Sequence, residues 1–540
     1  MMENKFKKIS VYLPLIISIA LVFGILIGLN VSRHQQLGGG GLLLYPKSDK
    51  LNNVLKYIEE EYVDTVSPAK LTDETIITLL KGLDPHSIYI SADEIQTVNE
   101  PLEGNFSGIG VQFNIMNDTV VVINTIPNGP SALIGILPGD RIVKVDSIVV
   151  AGVKMNSEDI VKKLKGPEGT FVKVTIKRLS SKRDLIYDIK RNKIPLYSID
   201  ISYMLNDQTG YIKISQFART TIEEFYAAVE KLKSKGMKKL VIDLRGNGGG
   251  FLDAAINLAD QFLNVGDLIV YTKGRSKPRE DFKATARGTC KDIELAVLID
   301  EYSASASEIF AGAIQDNDRG LIIGRRSFGK GLVQEQAMLS DGSAIRLTIA
   351  RYYTPTGRCI QKPYNHGEVD YFKDLNYRYL HGELENRDSI HLNDSLKYKT
   401  PKGKTVYGGG GIMPDVFVPF DTSGFSKFYF EVRDMNLIYK FSFNYSDLNR
   451  PTLKAISNLG ALYDYLEKEK IFEKFIDYCN KQGIHANNKE LKISGKIIKT
   501  QVEAYIARNF FDNEGFYPII REIDNTLDKA VEVLSARAEN

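Results

Sequence analysis

Two residues have types that combine into a nucleophile: Ser305, within Glu301-Tyr302-Ser303-Ala304-Ser305-Ala306-Ser307-Glu308, and Lys330, within Phe328-Gly329-Lys330-Gly331. A serine hydroxyl attacks poorly until a base takes its proton, and an uncharged lysine amine can be that base. An exposed lysine titrates near 10.4, so at pH 7 only about one in 2,500 is neutral. Burial disfavours the ammonium and lowers the pKa. Phe328 and Leu332 flank Lys330 and can supply the cover. No Asp or Glu lies in the four residues before Lys330, and Glu335 just beyond is the carboxylate that would hold it charged.

Each feature also has a plainer explanation. Ser305-Ala306-Ser307-Glu308 matches the S-x-x-E capping box, so Ser305 can simply start a helix. Lys330 can be a surface lysine. A histidine base is disfavoured, because none of the six histidines (34, 86, 366, 381, 391 and 485) is near Ser305 in sequence, although a triad is defined by geometry rather than order. His86 stands alone in Leu83-Asp84-Pro85-His86-Ser87 and reads as a turn residue. Asp316 would sit about three helical turns, roughly 16 Å, past Ser305, which assigns it a structural role. In a straight strand Gln334 would be about 13 Å from Lys330, so its amide reaches the amine only if the chain bends, for instance at Gly331.

These residues need a scaffold. The apolar run 295–299 reads as a buried strand, and 305–315 as a helix entered through small residues. Residues 210–214 and 240–244 read as further strands, with a helix over 221–234 between them. The second strand runs into Arg245-Gly246-Asn247-Gly248-Gly249-Gly250, and another helix starts near Leu252. Alternating strands and helices make an α/β core. The glycine turn lacks both GxxxxGK[ST] and GxGxxG, which argues against nucleotide binding. Exposed N–H groups there would suit an oxyanion hole.

Residues 101–190 differ in character. Short strands at 111–115, 120–123, 141–145 and 171–177, with a helix capped at Asn156 or Ser157 and running through Lys165, follow Ser107-Gly108-Ile109-Gly110-Val111. This order resembles a PDZ domain. The resemblance implies that Gly108, Ile109, Gly110 and Val111 present backbone N–H groups to a peptide's C-terminal carboxylate, and that the peptide adds as a strand.

Composition sets the outer limits. The chain has 540 residues, 43% hydrophobic and 25% charged, enough for several domains with ample cores. A formal net charge of +3 points to no nucleic-acid partner. Three scattered cysteines indicate neither a zinc site nor a disulfide framework. Lys5, Lys7 and Lys8 precede an uncharged run over 9–32, long enough to span a bilayer with its N-terminus in the cytoplasm. A cleaved signal peptide would end in an A-x-A-like site, which is lacking, and no cysteine follows the run to carry a lipid. The expectation is a single-pass anchor with the rest extracytoplasmic, periplasmic in a cell with two membranes. Gly38 to Gly41 is a flexible break, and 42–100 looks helical. The basic stretch from Lys273 to Lys291 reads as a solvated loop, 364–404 as a polar, tyrosine-rich insertion, and 421–540 as a helical region for packing or for assembly into a homo-oligomer.

The Ser303 to Ala311 segment, Ser327-Phe328-Gly329-Lys330-Gly331, the 244–249 turn, the PDZ-like unit and the 83–87 turn together resemble the carboxyl-terminal processing peptidases, or tail-specific proteases. The likeness covers about 50–420. It implies an endopeptidase acting on protein or peptide substrates recognised at their free C-termini, without metal or cofactor. Ser305 would be the nucleophile, Lys330 the general base and Gln334 the residue that orients it. Ala306 and a glycine of the turn, Gly248 or Gly249, would form the oxyanion hole. The expected architecture is an α/β protease core (191–420) with an inserted PDZ-like β-rich domain (101–190), an N-terminal transmembrane helix (within 1–41), an N-terminal helical region (42–100) and a helical C-terminal domain (421–540). The competing readings are a non-catalytic, membrane-tethered PDZ scaffold and an acyl-CoA-binding enzyme, the latter leaving the PDZ-like unit unexplained.

Overall fold

The computed structural model describes residues 50–178, 181–365 and 367–537. The 9–32 run, expected to be a membrane anchor, lies outside them. Among the described residues no helix is long and apolar enough to cross a membrane. The chain divides into two compact units, Met1–Thr78 and Leu79–Asn540. In the first, helix Lys50–Glu61 buries no residue. The second holds everything below.

Its centre is a six-stranded sheet in the order Ile199–Met204, Thr209–Ile214, Lys239–Asp243, Glu294–Ile299, Leu321–Gly324, Val416–Phe417. The first pair is antiparallel and the rest parallel. Parallel strands covered on both faces read as unbroken apolar runs, and Lys239–Asp243 is buried throughout. Helices Thr221–Lys233, Leu252–Asp260 and Ala306–Asp316 pack on one face with Phe225, Phe262 and Phe310. Ala306–Asp316 is buried at every position, as expected of a helix apolar nearly all round. The opposite face is covered by Leu527, Ala530 and Leu534 of the last helix, Asn525–Arg537. The C-terminal region therefore returns to close the peptidase core, so the expected boundary at 421 separates two regions that share a core.

A second, antiparallel sheet carries the other half of the site. Strand Ala344–Tyr353 pairs with Leu332–Met338, Leu268–Lys273 and Ile88–Ile90. The last pairing corrects the purely helical expectation for 42–100. Residues 105–195 form the expected β-rich domain, with strands Val111–Met116, Thr119–Thr125, Arg141–Val145, Phe171–Lys177 and Leu185–Lys190 in one sheet. Helix Ser157–Leu164 is capped by Asn156, whose side chain accepts from Asp159 N–H.

The C-terminal helices enclose their own core around Phe441, Phe475 and Val502. Val502, Ile506 and Ile519 lie on one long element, Asn488–Ile520, broken at Asp512 (φ 50°, ψ −139°). Asp512 accepts from Asn124 Nδ2 at 2.5 Å and Asp447 pairs with Arg141 at 2.6 Å, so the helical domain touches the β-rich one.

Candidate active site

Two loops leave the carboxyl ends of adjacent parallel strands, where open α/β sheets place their sites. After Lys239–Asp243 comes the glycine turn, and after Glu294–Ile299 the serine junction. They are laced together. Asp300 Oδ1 accepts from Gly246 N–H at 2.9 Å, and Ser303 Oγ donates to Leu244 O at 2.8 Å. Asn247, fully buried, accepts on its carbonyl from Ala304 N–H at 3.0 Å and from Ser307 Oγ at 2.9 Å. Arg245 pairs with Asp243 and with Asp524 of the C-terminal segment, at 2.7 and 2.6 Å, fixing the turn's first residue. Burial alone would raise the Asp243 carboxyl, but Arg245 and Lys213 beside it hold it well below the usual range.

Ser305 is half-buried at φ 56° and ψ −115°, a conformation a non-glycine residue keeps only when its surroundings enforce it. Gly249 is part of that enforcement. Its φ is 106°, and a Cβ there would lie 2.7 Å from Ser305 Cβ. Of the two glycines expected to serve an oxyanion, Gly249 is ill suited, because its N–H donates to Asn247 Oδ1 at 2.8 Å. The N–H groups of Gly248 and Ala306 donate to no group among the described residues.

Glu308 has a second function beyond starting the helix. It is fully buried and accepts four hydrogen bonds: Ser305 N–H at 2.8 Å and Lys330 N–H at 2.9 Å on Oε2, Ser327 Oγ–H at 2.5 Å and Gly329 N–H at 2.7 Å on Oε1. One oxygen thus holds the backbones of Ser305 and Lys330 within two hydrogen-bond lengths of each other. Burial pushes its carboxyl up to about 7 against those four donors. The capping-box signal marked Glu308, but nothing local revealed that loop 327–331 returns to it.

Every N–H of the lysine loop, from Ser327 to Gly331, is engaged. Ser327 N–H donates to Ile412 O and Phe328 N–H to Ser303 O; Gly329 O accepts from Lys362 N–H. Lys330 O accepts from Tyr352 Oη, which also donates to Ser305 O at 3.1 Å. Gly331 N–H donates to Gln361 Oε1 at 2.8 Å. Lys330 Nζ donates to Gln334 Oε1 at 2.9 Å, and Gln334 Nε2 donates to His86 O. A bulge between Val333 and Gln334, two to three residues past the bend expected at Gly331, gives the glutamine its reach.

Burial lowers the Lys330 pKa and the Arg346 guanidinium lowers it further, opposed by Asp84 and Glu308. Glu335 turns outward to Lys277 at 3.4 Å and does not hold the amine charged. His86 is brought to the site although its sequence position suggested only a turn. Burial and the neighbouring Lys330 lower its imidazole to about 4, so it is neutral near pH 7. Asp84 fixes that turn by accepting from the His86 and Ser87 N–H groups at 2.9 Å each. Asp316 is the buried partner of Arg358 at 2.7 Å, the structural role expected of it.

In the β-rich domain, Gly108, Ile109, Gly110 and Val111 join Phe106, Phe113, Val161 and Leu164 around an apolar pocket of about 120 Å³. The N–H groups of Ile109 and Gly110 donate to no group among the described residues. Lys165 at the rim pairs with Glu100. Among the described residues no cluster of His, Cys, Asp and Glu could hold a metal ion.

A strained serine at a helix start, a half-buried lysine whose backbone N–H shares Glu308 with it, and nearby N–H groups without a partner among the described residues fit a serine peptidase, here with an attached PDZ domain. The profile of peptidase family S41 matches residues 208–368, that of the PDZ domain 121–178, and a domain family of unknown function matches 428–512. The chain is 36% identical over 322 residues to a carboxy-terminal-processing protease of Bartonella bacilliformis, covering 59% of this chain and 73% of that one. It is 34% identical over 329 residues to a probable CtpA-like serine protease of Staphylococcus aureus, covering 61% and 65%. The photosystem II D1 C-terminal processing protease is similar at 25% identity and a TM-score of 0.36, over 68% of this chain and 92% of that one. This chain belongs to the carboxy-terminal-processing proteases of peptidase family S41.

Proposed function

We propose that this protein is a membrane-anchored, extracytoplasmic endopeptidase that recognises proteins at their C-termini and cleaves them with Ser305 as nucleophile and Lys330 as general base. The observation that carries the reading is the environment of Lys330. The residue is half-buried with its amine hydrogen-bonded to an uncharged amide, while its backbone shares a carboxylate oxygen with that of Ser305. In the reaction, the Ser305 Oγ–H proton passes to Lys330 Nζ as Oγ bonds to the scissile carbonyl carbon. The oxyanion that forms takes hydrogen bonds from the N–H groups of Gly248 and Ala306. The lysine then gives its proton to the leaving amine as the C–N bond breaks, leaving an acyl-enzyme that water hydrolyses by the same relay. Gln334 orients the amine throughout. The PDZ pocket takes an apolar C-terminal side chain, with Ile109 and Gly110 N–H groups directed to the carboxylate. The 9–32 run supplies the anchor and, from its basic flank, the outward orientation of the rest.

Proteolysis of an unfolded protein by the parent, Ser305→Ala and Lys330→Ala tests the chemistry. Both variants should lose at least about 10³-fold in kcat, the scale seen when a member of a nucleophile–base pair is removed. Equal cleavage by all three would end the reading. Extraction of the full chain from membranes by alkaline carbonate, without detergent, would remove the anchor.

A further inference from the structure

Helix Glu368–Leu380 opens the segment that had no assigned use and begins at the residue where the S41 profile ends. Its outer side exposes Val369, Phe372 and Tyr379, while Tyr371 and Arg378 are buried to 3% and 2% exposure. We propose that Arg378 and Tyr371 are positioning residues for the catalytic lysine, through which this helix seats both the loop carrying Lys330 and the glutamine that orients it. The inference rests on the Ser305–Lys330 reading above.

Arg378 forks onto two consecutive carbonyls of the loop. Its Nη2 donates to Arg326 O at 2.6 Å and its Nη1 to Ser327 O at 3.0 Å, while its closest carboxylate, Glu383, stands 3.5 Å from Nε. A guanidinium removed from water is costly unless its donors find partners. Here two of those partners are backbone oxygens just upstream of the lysine, so the fork sets the loop's approach. Tyr371 acts on the other arm. Its hydroxyl accepts from Gln361 Nε2 at 3.3 Å and is hydrogen-bonded to His86 Nε2 at 2.9 Å. The His86 carbonyl receives Gln334 Nε2, and Gln334 holds Lys330 Nζ. A third attachment runs through Asp374. It pairs at 2.9 Å with Lys362, whose N–H donates to Gly329 O at 2.9 Å and whose ammonium lies 3.9 Å from the Phe328 ring centroid. Three side chains of one helix thus reach the lysine loop or the lysine's holder by separate routes.

The test uses the full chain in detergent with a fluorescent unfolded protein as substrate, and a fluorophosphonate as a reporter of Ser305 reactivity. Arg378→Ala should lower kcat and the labelling rate by about 10²-fold with KM unchanged, since an error of about 1 Å in a reacting group costs that much. Guanidinium ion added to the assay should restore part of that rate. Arg378→Lys, which cannot fork, should fall between. Tyr371→Phe should lower kcat without moving the melting temperature, and the exposed Tyr379→Ala should match the parent. If Arg378→Ala does not fold, Arg378→Lys and Tyr371→Phe decide the matter. Folded Arg378→Lys and Tyr371→Phe proteins with parental kcat, beside an inactive Lys330→Ala, would overturn this inference and leave the Ser–Lys reading standing. Activity of Lys330→Ala at the parental level would sink that reading itself.

Discussion

Two glycine-rich loops in this molecule are built on opposite plans. In Phe328-Gly329-Lys330-Gly331 every N–H of the stretch is engaged, and Glu308 alone accepts two of them. In Gly108-Ile109-Gly110 the N–H groups of Ile109 and Gly110 are unengaged among the described residues. Glycine allows close backbone approach in both, but to different partners. In the lysine loop the approaching atoms belong to the protein, since Gly329 lies against Gly411 and Lys362 with φ 93°. In the PDZ loop they are left for a ligand. A group that must give and take a proton at a fixed distance needs a loop with no freedom. A group that captures an anion needs donors with no prior partner. The proposed oxyanion site follows the second plan, with the Gly248 and Ala306 N–H groups unengaged among the described residues, inside a frame that follows the first.

The contrast can be broken at its closed end most severely. Glu308→Ala would leave three N–H donors and the Ser327 hydroxyl without an acceptor in the core, at about 1–3 kcal/mol each. It should lower thermal stability by several kcal/mol in all and abolish cleavage; a variant that melts and cleaves like the parent would show that the loop is held otherwise. At the open end, amidating the C-terminus of a peptide substrate should raise KM by about tenfold or more with kcat little changed, because hydrogen bonds to a charged group are worth about 1.5–3 kcal/mol. Equal KM values for acid and amide would deny the loop its anion. The finest test is electrostatic. The Arg346 guanidinium helps to hold the Lys330 pKa down. In Arg346→Gln that repulsion is gone, the amine protonates more readily, and the acid limb of kcat should move to higher pH. A limb that stays in place or moves to lower pH would remove Arg346 from the tuning of the base.

The pair Ser305 and Lys330 was legible because each is set in an unusual local context of small residues and glycines. Gln334 was legible only as a difficulty of distance, and the bulge that resolves it belongs to the pairing with the next strand, Ala344–Tyr353, whose register the residue spacing does not announce. Glu308 looked like a helix cap, which it is; its hold on Gly329 and Lys330 depends on a chain return that no local pattern announces. Gly249 looked equal to Gly248 until the Asn247 side chain claimed its N–H. His86 was read as a turn residue. Its carbonyl, which no side-chain reasoning considers, accepts from Gln334 Nε2, and its ring lies near Lys330.

The residue types, the strand and helix periods and the motifs were sufficient to single out one candidate alcohol and one candidate amine, and a PDZ-like unit before them, because those features are local and chemical. Only the folded chain decided which groups hold them. The acceptors and donors around Lys330 come from residues 84–87, 308, 334, 346–352 and 361–378. Separation along the chain carries no information about which distant carbonyl will be brought within 3 Å of a given donor.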